Sequence, residues 1–547
     1  MPNDPEHNQK RTLSRRDVLK RVGLGTVALT LAACGGGTGT TGNATSGPSG
    51  GAATASSGGG TAATTGPAAG ASATTGSAGG AATTAAGGAA TTAAGGAGTS
   101  ASAAATTAGG AAGGAGGAAS GGGAKPTAAP TPTTPPPAVL GKGAQKVNFW
   151  HGLGGADGAT MVKMLQQYAA QKPQYTVSSQ TFDWPVFNQK FPTAIAAGTP
   201  PQLAITHHYE VPQWASQSLI QETDTLFFEP KLVPKEDFNP ALIEQITSDG
   251  KAQAVPFDNH GWLNWVNTKV IKDAGLDPNN LPKNGTEFIP WAKKIVVDDK
   301  GKHPDDSGFN PQRVKIWATH SSWTRYTPLT TMFQYGTAYF TDDKKKALFS
   351  DPKSIAALQY WNDLIYKHHV VPPGIPGVAS PSNLFKANAI ALMWDGTWNL
   401  NFFKDNPDAA KNMQPMFINS LAPDGKQAVR FDSHMMVVPA GVDGKDLDAA
   451  KDLITWLSNN NETWATSGQV PARLSAQKKP SVQGIQSVKV AAEQIAKIGH
   501  PGQGHPAINE IQTDAETAFS AILANSTPTA KAMNDANTQI QAILDRG

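Results

Sequence analysis

One low-complexity stretch limits what this chain can fold into more than any other feature. From Gly35 to about Pro137 the sequence is almost wholly Gly, Ala, Thr and Ser, and the first charged residue after Cys34 is Lys125. A stretch without bulky apolar side chains cannot bury enough surface to offset the entropy cost of ordering it. We therefore expect a disordered linker over 34–145, stiffened near its end by prolines, and a folded part over 146–547.

The linker also determines how far the folded part can stand from the N-terminus. A Gly-rich coil of roughly 100 residues has an r.m.s. span of about 50–60 Å. We interpret it as a tether that carries the folded part away from a membrane and across cell-wall material. A soluble, flexible spacer with no further role would have the same composition, and its Thr and Ser content also permits glycosylation.

The N-terminus resembles an export signal. The segment 14–20 is similar to a twin-arginine signal, with the arginine pair at Arg15 and Arg16. The apolar run Val22–Ala33 that follows is about 12 residues long, which is too short to span a bilayer and typical of a signal peptide. It ends directly before Cys34, in a sequence that resembles a lipoprotein cleavage site.

This resemblance implies a signal peptide over 1–33 and a diacylated Cys34 as the first mature residue. Two acyl chains give stable anchoring, so the protein would be lipid-anchored at the extracytoplasmic face of the cell membrane. The alternative is an incidental arginine pair and an ordinary thiol. Cys34 is the single cysteine of the chain, so an internal disulfide is excluded and the core must supply the stability.

Charge excludes one class of function. The net charge is +3 over 547 residues, and no long basic run occurs. Nucleic-acid binding is therefore disfavoured. No apolar stretch after the signal approaches the length of a membrane span.

The folded part begins as alternating strands and helices. In its first helix, which we expect to start near Asp157, apolar residues recur at helical spacing, namely Met161, Met164, Leu165 and Tyr168. Alternation of this kind favours a mostly parallel sheet that binds ligands beyond the carboxyl ends of its strands. The expected strands are Lys146–Trp150, Tyr175–Gln180 and Leu203–Thr206, and the further expected helices are Trp184–Ala197, Ala449–Leu457 and Ala530–Leu544.

Several short blocks resemble family 1 of the bacterial extracellular solute-binding proteins, the group of the maltose-binding and glycerol-phosphate-binding proteins. Each block is weak alone, but their order behind a lipoprotein signal is specific. The resemblance extends over the whole of 146–547. The blocks are Phe149–Gly152, Ala194–Pro201, Ala254–Phe257 with Trp265–Asn267 and Ala274–Leu276, Ala389–Trp398, and Gln469–Arg473.

The resemblance implies an α/β, two-lobed periplasmic-binding-protein-like fold (type II), with the ligand cleft between lobes joined by hinge crossovers. Lobe one would hold 146–257 plus 435–475, and lobe two 258–434 plus 476–547. It also implies a monomeric substrate-binding lipoprotein of an ABC importer. Such a protein closes on a carbohydrate and delivers it to the membrane permease subunits, without a cofactor and without catalysis.

Sugar recognition needs aromatic faces that stack on the C–H groups of a pyranose and planar polar groups that bond its hydroxyls. We therefore expect ligand contacts from residues in loops after strands and at the two crossovers, although ordinary packing explains any single tryptophan. The candidates are Trp150, His151, Trp184, His208, Tyr209, Glu210, Asp258, His260, Trp323, Trp394, Asp395, Gly396, Trp398 and His434.

Some candidates have specific alternatives. Glu210 is also well placed as a favourable charge at the start of the next helix. One of Trp394 and Trp398 is expected in the core. The adjacent pairs at 207–208 and 368–369 could be metal ligands, but neighbouring histidines in such loops usually point apart, so we expect no metal.

The sequence favours an uncharged ligand. A phosphate needs an Arg or Lys clamp, yet no Arg occurs from 474 to 545. Arg313 and Arg325 keep a glycerol-phosphate or polyol ligand open. A secreted glycan hydrolase would need two carboxylates about 5–9.5 Å apart, for which Asp183, Glu210, Asp258 and Asp395 are the candidates. A cell-surface adhesin is a third hypothesis.

Overall fold

The computed structural model describes residues 135–374 and 380–546. The predicted arginine pair at Arg15 and Arg16, the predicted lipidation site at Cys34 and the predicted linker as far as residue 134 lie outside the described residues. No helix of the described part is both long enough and apolar enough to cross a membrane.

The strands are short apart from one. They are β1 (Ala138–Gly141), β2 (Gln145–His151), β3 (Tyr175–Thr181), β4 (Leu203–His207), β5 (Thr247–Ser248), β6 (Lys251–Ala252), β7 (Val255–Pro256), β8 (Asp258–Asn267), β9 (Val297–Asp298), β10 (Val314–Ile316), β11 (Leu392–Gly396), β12 (Met413–Met416), β13 (Val429–Asp432), β14 (His434–Val437), β15 (Val470–Pro471) and β16 (Gly499–Pro501).

The helices occur throughout the described chain. They are α1 (Gly155–Gln171), α2 (Trp184–Ala196), α3 (Val211–Ser216), α4 (Pro240–Gln245), α5 (Thr268–Asp273), α6 (Gly285–Ile295), α7 (Thr327–Gln334), α8 (Pro352–Tyr366), α9 (Pro381–Lys386), α10 (Asn399–Asp405), α11 (Pro407–Ala410), α12 (Gly444–Asn459), α13 (Leu474–Gln477), α14 (Pro480–Gln483), α15 (Gln486–Ile498), α16 (Ile508–Leu523) and α17 (Thr529–Leu544).

The first elements form where the side-chain pattern predicts them. In β2, Val147 and Phe149 are buried and alternate with more exposed residues, as in a strand that covers a core on one face. In α1, the four apolar residues at helical spacing are all fully buried. Helix α2 has a proline in its first turn and ends before Gly198, which takes a positive φ of 75°.

Sheet one has the order β1-β3-β2-β4-β14-β7. Strands β2, β3 and β4 are parallel, while β14 runs antiparallel to β4. The carboxyl ends of the parallel strands therefore meet at one edge, which places His151 and His207 on the same side of the sheet. Helix α12 returns to this lobe, where Leu453, Ile454 and Leu457 join its core.

A strand already forms at Ala138–Gly141, within the segment 34–145 that was expected to be linker. Strand β1 pairs antiparallel with β3, from Ala138 opposite Ser179 to Gly141 opposite Thr176. It covers the open edge of sheet one, whose backbone groups would otherwise be unpaired. Four residues next to a Pro-rich run carry too weak a pattern to predict this edge strand.

Sheet two is built around β8, whose ten residues are all buried. It has the order β11-β8-β13-β16, and β12 and β15 also pair with β8. The chain passes from sheet one to sheet two between β7 and β8, at Phe257, and returns between β13 and β14, at Ser433. A third passage runs from α12 through the 3₁₀ helix Asn461–Ser467 to β15, which pairs with Asp258 and Asn259 of β8.

Candidate functional site

Aromatic rings form a continuous row across the crossovers. Trp184, at the start of α2, stacks on His434 with centroids 5.6 Å apart and planes at 14°. His434 stacks on His260 at 4.3 Å, and His260 meets Trp398 edge-on at 6.1 Å. Trp398 meets Trp323 edge-on at 5.9 Å. We call these five residues the aromatic row; it begins on lobe one and ends on lobe two.

Two of the three tryptophans of the row, Trp184 and Trp398, each lie against a glycine. A Cβ on Gly152 would overlap the indole of Trp184, and a Cβ on Gly396 would overlap the indole of Trp398. Both indoles remain partly exposed. The absence of a side chain at these two glycines leaves the space that the indoles occupy.

Asp258 joins all three crossovers and is itself fully buried. Its carboxylate accepts from His260 Nδ1 at 2.9 Å, from His434 N at 3.0 Å and Nδ1 at 2.7 Å, and from Trp464 Nε1 at 2.7 Å. Burial alone would raise the pKa of Asp258, but the contacts with His434 and His260 outweigh it and lower the pKa. Four donors fill the lone pairs of the carboxylate, so Asp258 lies at the hinge with no acceptor left for a solute.

Glu210 is equally occupied. It accepts from Asn188 Nδ2 at 2.6 Å, from Thr206 Oγ1 at 2.6 Å and from the backbone N of His207 at 3.0 Å, and it faces His207 Nδ1 at 3.4 Å. Burial would raise the pKa of Glu210, but the bonds with His207 and Thr206 outweigh it and lower the pKa to about 2. This carboxylate holds the loop after β4 in place. That structural role is similar to the alternative given above, in which Glu210 is a favourable charge at the start of the next helix.

Two predicted histidines brace backbone segments. His151 Nε2 bonds to Ser179 Oγ at 2.8 Å, and its Nδ1 accepts from Leu153 N at 3.2 Å. His208 Nε2 bonds to the carbonyl of Gly502 at 2.8 Å, and its Nδ1 accepts from Ser433 N at 3.2 Å. Burial lowers the pKa to about 3 for His151 and about 4 for His208, so both rings are neutral.

Trp323 and Asp395 lie at the lobe-two end of the aromatic row. Trp323 is 52% exposed, and its backbone takes a φ of 54°, which is strained for a bulky residue. Asp395 Oδ1 accepts from the backbone N of Gly396 at 2.7 Å. Burial, only partly opposed by this bond and by the nearby side chains of Trp323 and Asn399, raises the pKa of Asp395 to about 6. An exposed aromatic face thus lies beside a carboxyl group.

A polar link between the lobes was not predicted. Gln469 donates to Asp157 Oδ2 at 3.0 Å and accepts from Thr397 Oγ1. The second oxygen of Asp157 is buried without a partner, and burial raises the pKa of this carboxyl group to about 7. The position of Asp157 in the first turn of α1, beyond the carboxyl end of β2, is the signal that could have identified it.

Every arginine of the described residues already has an acidic partner. Arg430 and Asp432 form a buried pair at 2.9 Å, and the guanidinium lies 4.3 Å from the ring centre of Tyr326. Arg325 pairs with Glu516 at 2.9 Å, and Arg313 with Asp299 at 3.4 Å. The remaining two, Arg473 and Arg546, pair with Asp237 and Glu510. The described part therefore offers no unpaired guanidinium for a phosphate.

The structure thus separates the predicted residues into two groups. Trp184, His260, Trp323, Asp395, Trp398 and His434 come together along the aromatic row. Trp394 is fully buried and donates to Asn419 at 3.2 Å, so it lies in the core. Trp150 packs edge-on against Phe182, and Tyr209 is buried in the core of lobe two.

The chain matches the model of a known family. The family is described as bacterial extracellular solute-binding protein, and the match covers residues 152–463. The arabinooligosaccharide-binding protein of Halalkalibacterium halodurans is 21% identical over 46% of this chain and 57% of its own length. The sn-glycerol-3-phosphate-binding periplasmic protein of Brucella abortus is 23% identical over 27% of this chain. This chain spans only 35% of that second relative.

A solved structure shows the same fold. The ABC transporter solute-binding protein of Thermotoga lettingae, bound with alpha-D-tagatose, superposes with a TM-score of 0.62 and 22% identity. The superposition covers 73% of this chain and 100% of that one. The α/β, two-lobed fold class expected from the sequence is confirmed.

Proposed function

Because the chain belongs to the bacterial extracellular solute-binding protein family, we propose that it captures an uncharged carbohydrate between its lobes and delivers it to an ABC importer. The observation that carries the proposal is the aromatic row, which joins the two lobes through five neighbouring rings. Partly exposed indoles offer the apolar faces on which a pyranose stacks.

Polar groups beside the row suit a hydroxyl-rich ligand. The unpartnered oxygen of Asp157, near His434, and the carboxyl group of Asp395, near Trp323, are acceptors beside the row. We assign ligand contact to Trp184, Trp323 and Trp398 as stacking faces, and to Asp157 and Asp395 as hydroxyl acceptors. His260 and His434 form the floor between them.

The paired arginines support a neutral ligand over a phosphate. A phosphate oxygen would have to displace Glu516 from Arg325 or Asp432 from the buried Arg430. Either exchange would leave a carboxylate without its partner, which is costly for a buried group. Carbohydrate is also named as the ligand of the Halalkalibacterium and Thermotoga proteins.

Binding without turnover fits the occupied carboxylates. A hydrolase needs two carboxyl groups free to exchange protons or attack the sugar. Four donors hold Asp258, and three hydrogen bonds together with the His207 ring hold Glu210, so neither of these two is available. We assign the carboxyl groups of Asp157 and Asp395 to contact with ligand hydroxyls and not to catalysis. We propose that the protein returns its ligand unchanged.

The remainder of the proposal concerns location and partners. We propose that residues 1–33 are an export signal, that Cys34 carries the lipid anchor, and that the Gly-rich stretch is the tether between anchor and lobes. We also propose that one chain works as a monomer and docks on the permease when its lobes close. Replacing Cys34 with Ser should release the protein from membranes in cell fractionation if the anchor is correct.

A ligand screen tests the function directly. The full chain is heated with mono- and oligosaccharides, polyols and glycerol phosphates, and the unfolding temperature and the recovered compound are measured. A saturating carbohydrate at 100 times its Kd should stabilise the protein by about 2.7 kcal/mol and be recovered intact. Cleaved glycan, or stabilisation by glycerol phosphate alone, would contradict the proposal.

A further inference from the structure

Three buried histidines meet at the hinge, each from a different part of the chain. His207 ends β4, His260 lies on β8, and His434 opens β14. One ring nitrogen from each lies within 4.8 Å of the other two. The sequence places these residues far apart, and only the two crossovers bring them together.

Carboxylates fix which nitrogen each ring presents. The Nδ1 atoms of His260 and His434 bond to the two oxygens of Asp258, and Nδ1 of His207 faces Glu210 at 3.4 Å. Each Nδ1 therefore carries the proton shared with a carboxylate, which leaves Nε2 as a lone-pair donor. Metal-binding histidines have this arrangement, in which an acid on the far nitrogen sets the tautomer and strengthens the ligand.

The carboxylates are themselves held in place. Trp464 Nε1 donates to Asp258, and Asn188 and Thr206 donate to Glu210. Neither carboxylate can turn towards another partner without losing these bonds. The carboxylates of Asp258 and Glu210 therefore orient the three imidazole rings through their Nδ1 atoms.

We propose that His207, His260 and His434 bind a divalent transition metal, with Zn²⁺ as the reference ion, through their Nε2 atoms. Imidazole nitrogen suits zinc, copper and nickel, and three protein ligands leave one coordination position for a water or a solute oxygen. Magnesium and calcium prefer oxygen ligands and are not expected to bind.

Metal binding requires the imidazole rings to move, since tetrahedral Zn²⁺ with Zn–N bonds of about 2.0–2.1 Å holds its nitrogens about 3.3 Å apart. The rings of His260 and His434, now stacked with centroids 4.3 Å apart, must separate so that both Nε2 atoms point at the ion. The sequence-based expectation of no metal considered only histidines adjacent in sequence. His207 and His208 do point apart, towards Glu210 and Gly502 respectively, and the proposed site uses histidines that are distant in sequence.

Zinc titration of the chelator-treated full chain, in the absence of carbohydrate, tests the site. We expect one Zn²⁺ per chain by calorimetry, a rise in unfolding temperature, and no response to Mg²⁺. Each of His207→Gln, His260→Gln and His434→Gln should weaken zinc binding by at least about 100-fold. His368→Gln, on lobe two away from the cluster, is the matched control and should bind as the parent does.

X-ray absorption on the zinc-loaded parent chain keeps the test independent of how the variants fold. Three imidazole nitrogens at about 2.0–2.1 Å from the metal support the site. No zinc binding by the parent, binding unchanged in His207→Gln, or a shell without imidazole would overturn it. Carbohydrate binding is measured separately in chelator, so failure of the metal site leaves the proposed function testable.

Discussion

The imidazole of His434 lies nearly parallel to the indole of Trp184, with ring centres 5.6 Å apart. His434 stands where the chain returns to lobe one, and its Nδ1 bonds to Asp258, where the chain leaves that lobe. The stacking face of lobe one is thereby attached to the hinge itself. A solute that rests on Trp184 would act directly on the segments that must bend when the lobes close.

Gly152→Ala should weaken carbohydrate binding although Gly152 itself is not assigned to ligand contact. The new Cβ would overlap the indole of Trp184 and displace it from its position. We expect a loss of about 1–2 kcal/mol in binding, because one stacking face is misplaced. Calorimetry measures the loss. Gly154→Ala is the matched control, since a Cβ there meets nothing within 4 Å, and equal losses in both variants would count against the role of Trp184.

Trp323→Ala should reduce affinity and leave stability nearly unchanged. The indole is 52% exposed, so its removal uncovers little core. Losing one stacking face should cost about 1–3 kcal/mol of binding. Trp291→Ala removes a half-buried indole from α6, outside the row, and should not change the affinity. An unchanged affinity in Trp323→Ala would remove this residue from the site.

Asp395→Asn should stabilise the protein at neutral pH and not at pH 4. The folded-state pKa of Asp395 is raised from 3.8 to about 6, so the folded state holds the proton more tightly than the unfolded state. The stability of the parent therefore falls as pH rises from about 4 through 6, by up to about 3 kcal/mol. The variant lacks this loss, and urea unfolding across pH measures the difference.

The control for this pH dependence is Asp405→Asn on the exposed end of α10. This exposed replacement measures what the change from Asp to Asn does by itself, and its contribution is subtracted. If the corrected stability difference of Asp395→Asn does not vary with pH, the raised pKa assigned to Asp395 is wrong.

Arg430→Met should destabilise the protein strongly, and a second change should restore part of the loss. Both members of the Arg430–Asp432 pair are buried, so removing the cation leaves an uncompensated carboxylate, at a cost of about 3–5 kcal/mol. Arg430→Met combined with Asp432→Leu removes both charges and should recover much of it. Chemical denaturation measures the cycle.

An exposed ion pair provides the comparison for this cycle. Lys411→Met breaks the pair with Asp408 on the surface and should change the unfolding midpoint little. A double variant no more stable than Arg430→Met would show that the pair contributes more than charge compensation.

The sequence predicts local structure well where one pattern decides it. Tyr175–Gln180 is confirmed within β3, and the helix expected from Trp184 to Ala197 is observed as Trp184–Ala196. The edge strand β1 escaped prediction because its stability comes from pairing with β3, which is a property of the sheet and not of four residues. The family blocks supply the two-lobed fold, which local periodicity alone does not reach.

The site is predicted less completely, because it depends on contacts between distant segments. The position of Asp258 at a crossover correctly predicts that it lies between the lobes. Only the fold shows that donors from three crossover segments fill the lone pairs of its carboxylate. Glu210 is a residue type that often binds ligands, but donors from neighbouring residues already occupy its carboxylate. The hydrogen bond between Asp157 and Gln469 joins residues 312 positions apart, and no local sequence pattern predicts it.

The tryptophans show the same limit. Composition cannot separate stacking faces from packing, since both place an indole among apolar neighbours. Some buried tryptophans lie near the ends of strands, where the sequence alone suggests a loop. Six of the 13 tryptophans are fully buried, namely Trp214, Trp262, Trp265, Trp361, Trp394 and Trp464. Burial depends on which element covers the strand, and this is decided by the fold.

The most direct test of the central claim is a distance measured between the lobes with and without carbohydrate. Spin labels on Lys163→Cys in α1 and Asp405→Cys in α10, in a chain whose Cys34 is replaced by Ser, report the separation by pulsed resonance. A saturating neutral carbohydrate should shift the distribution to a single shorter distance. Binding that is confirmed by calorimetry but leaves the distribution unchanged would contradict capture by lobe closure.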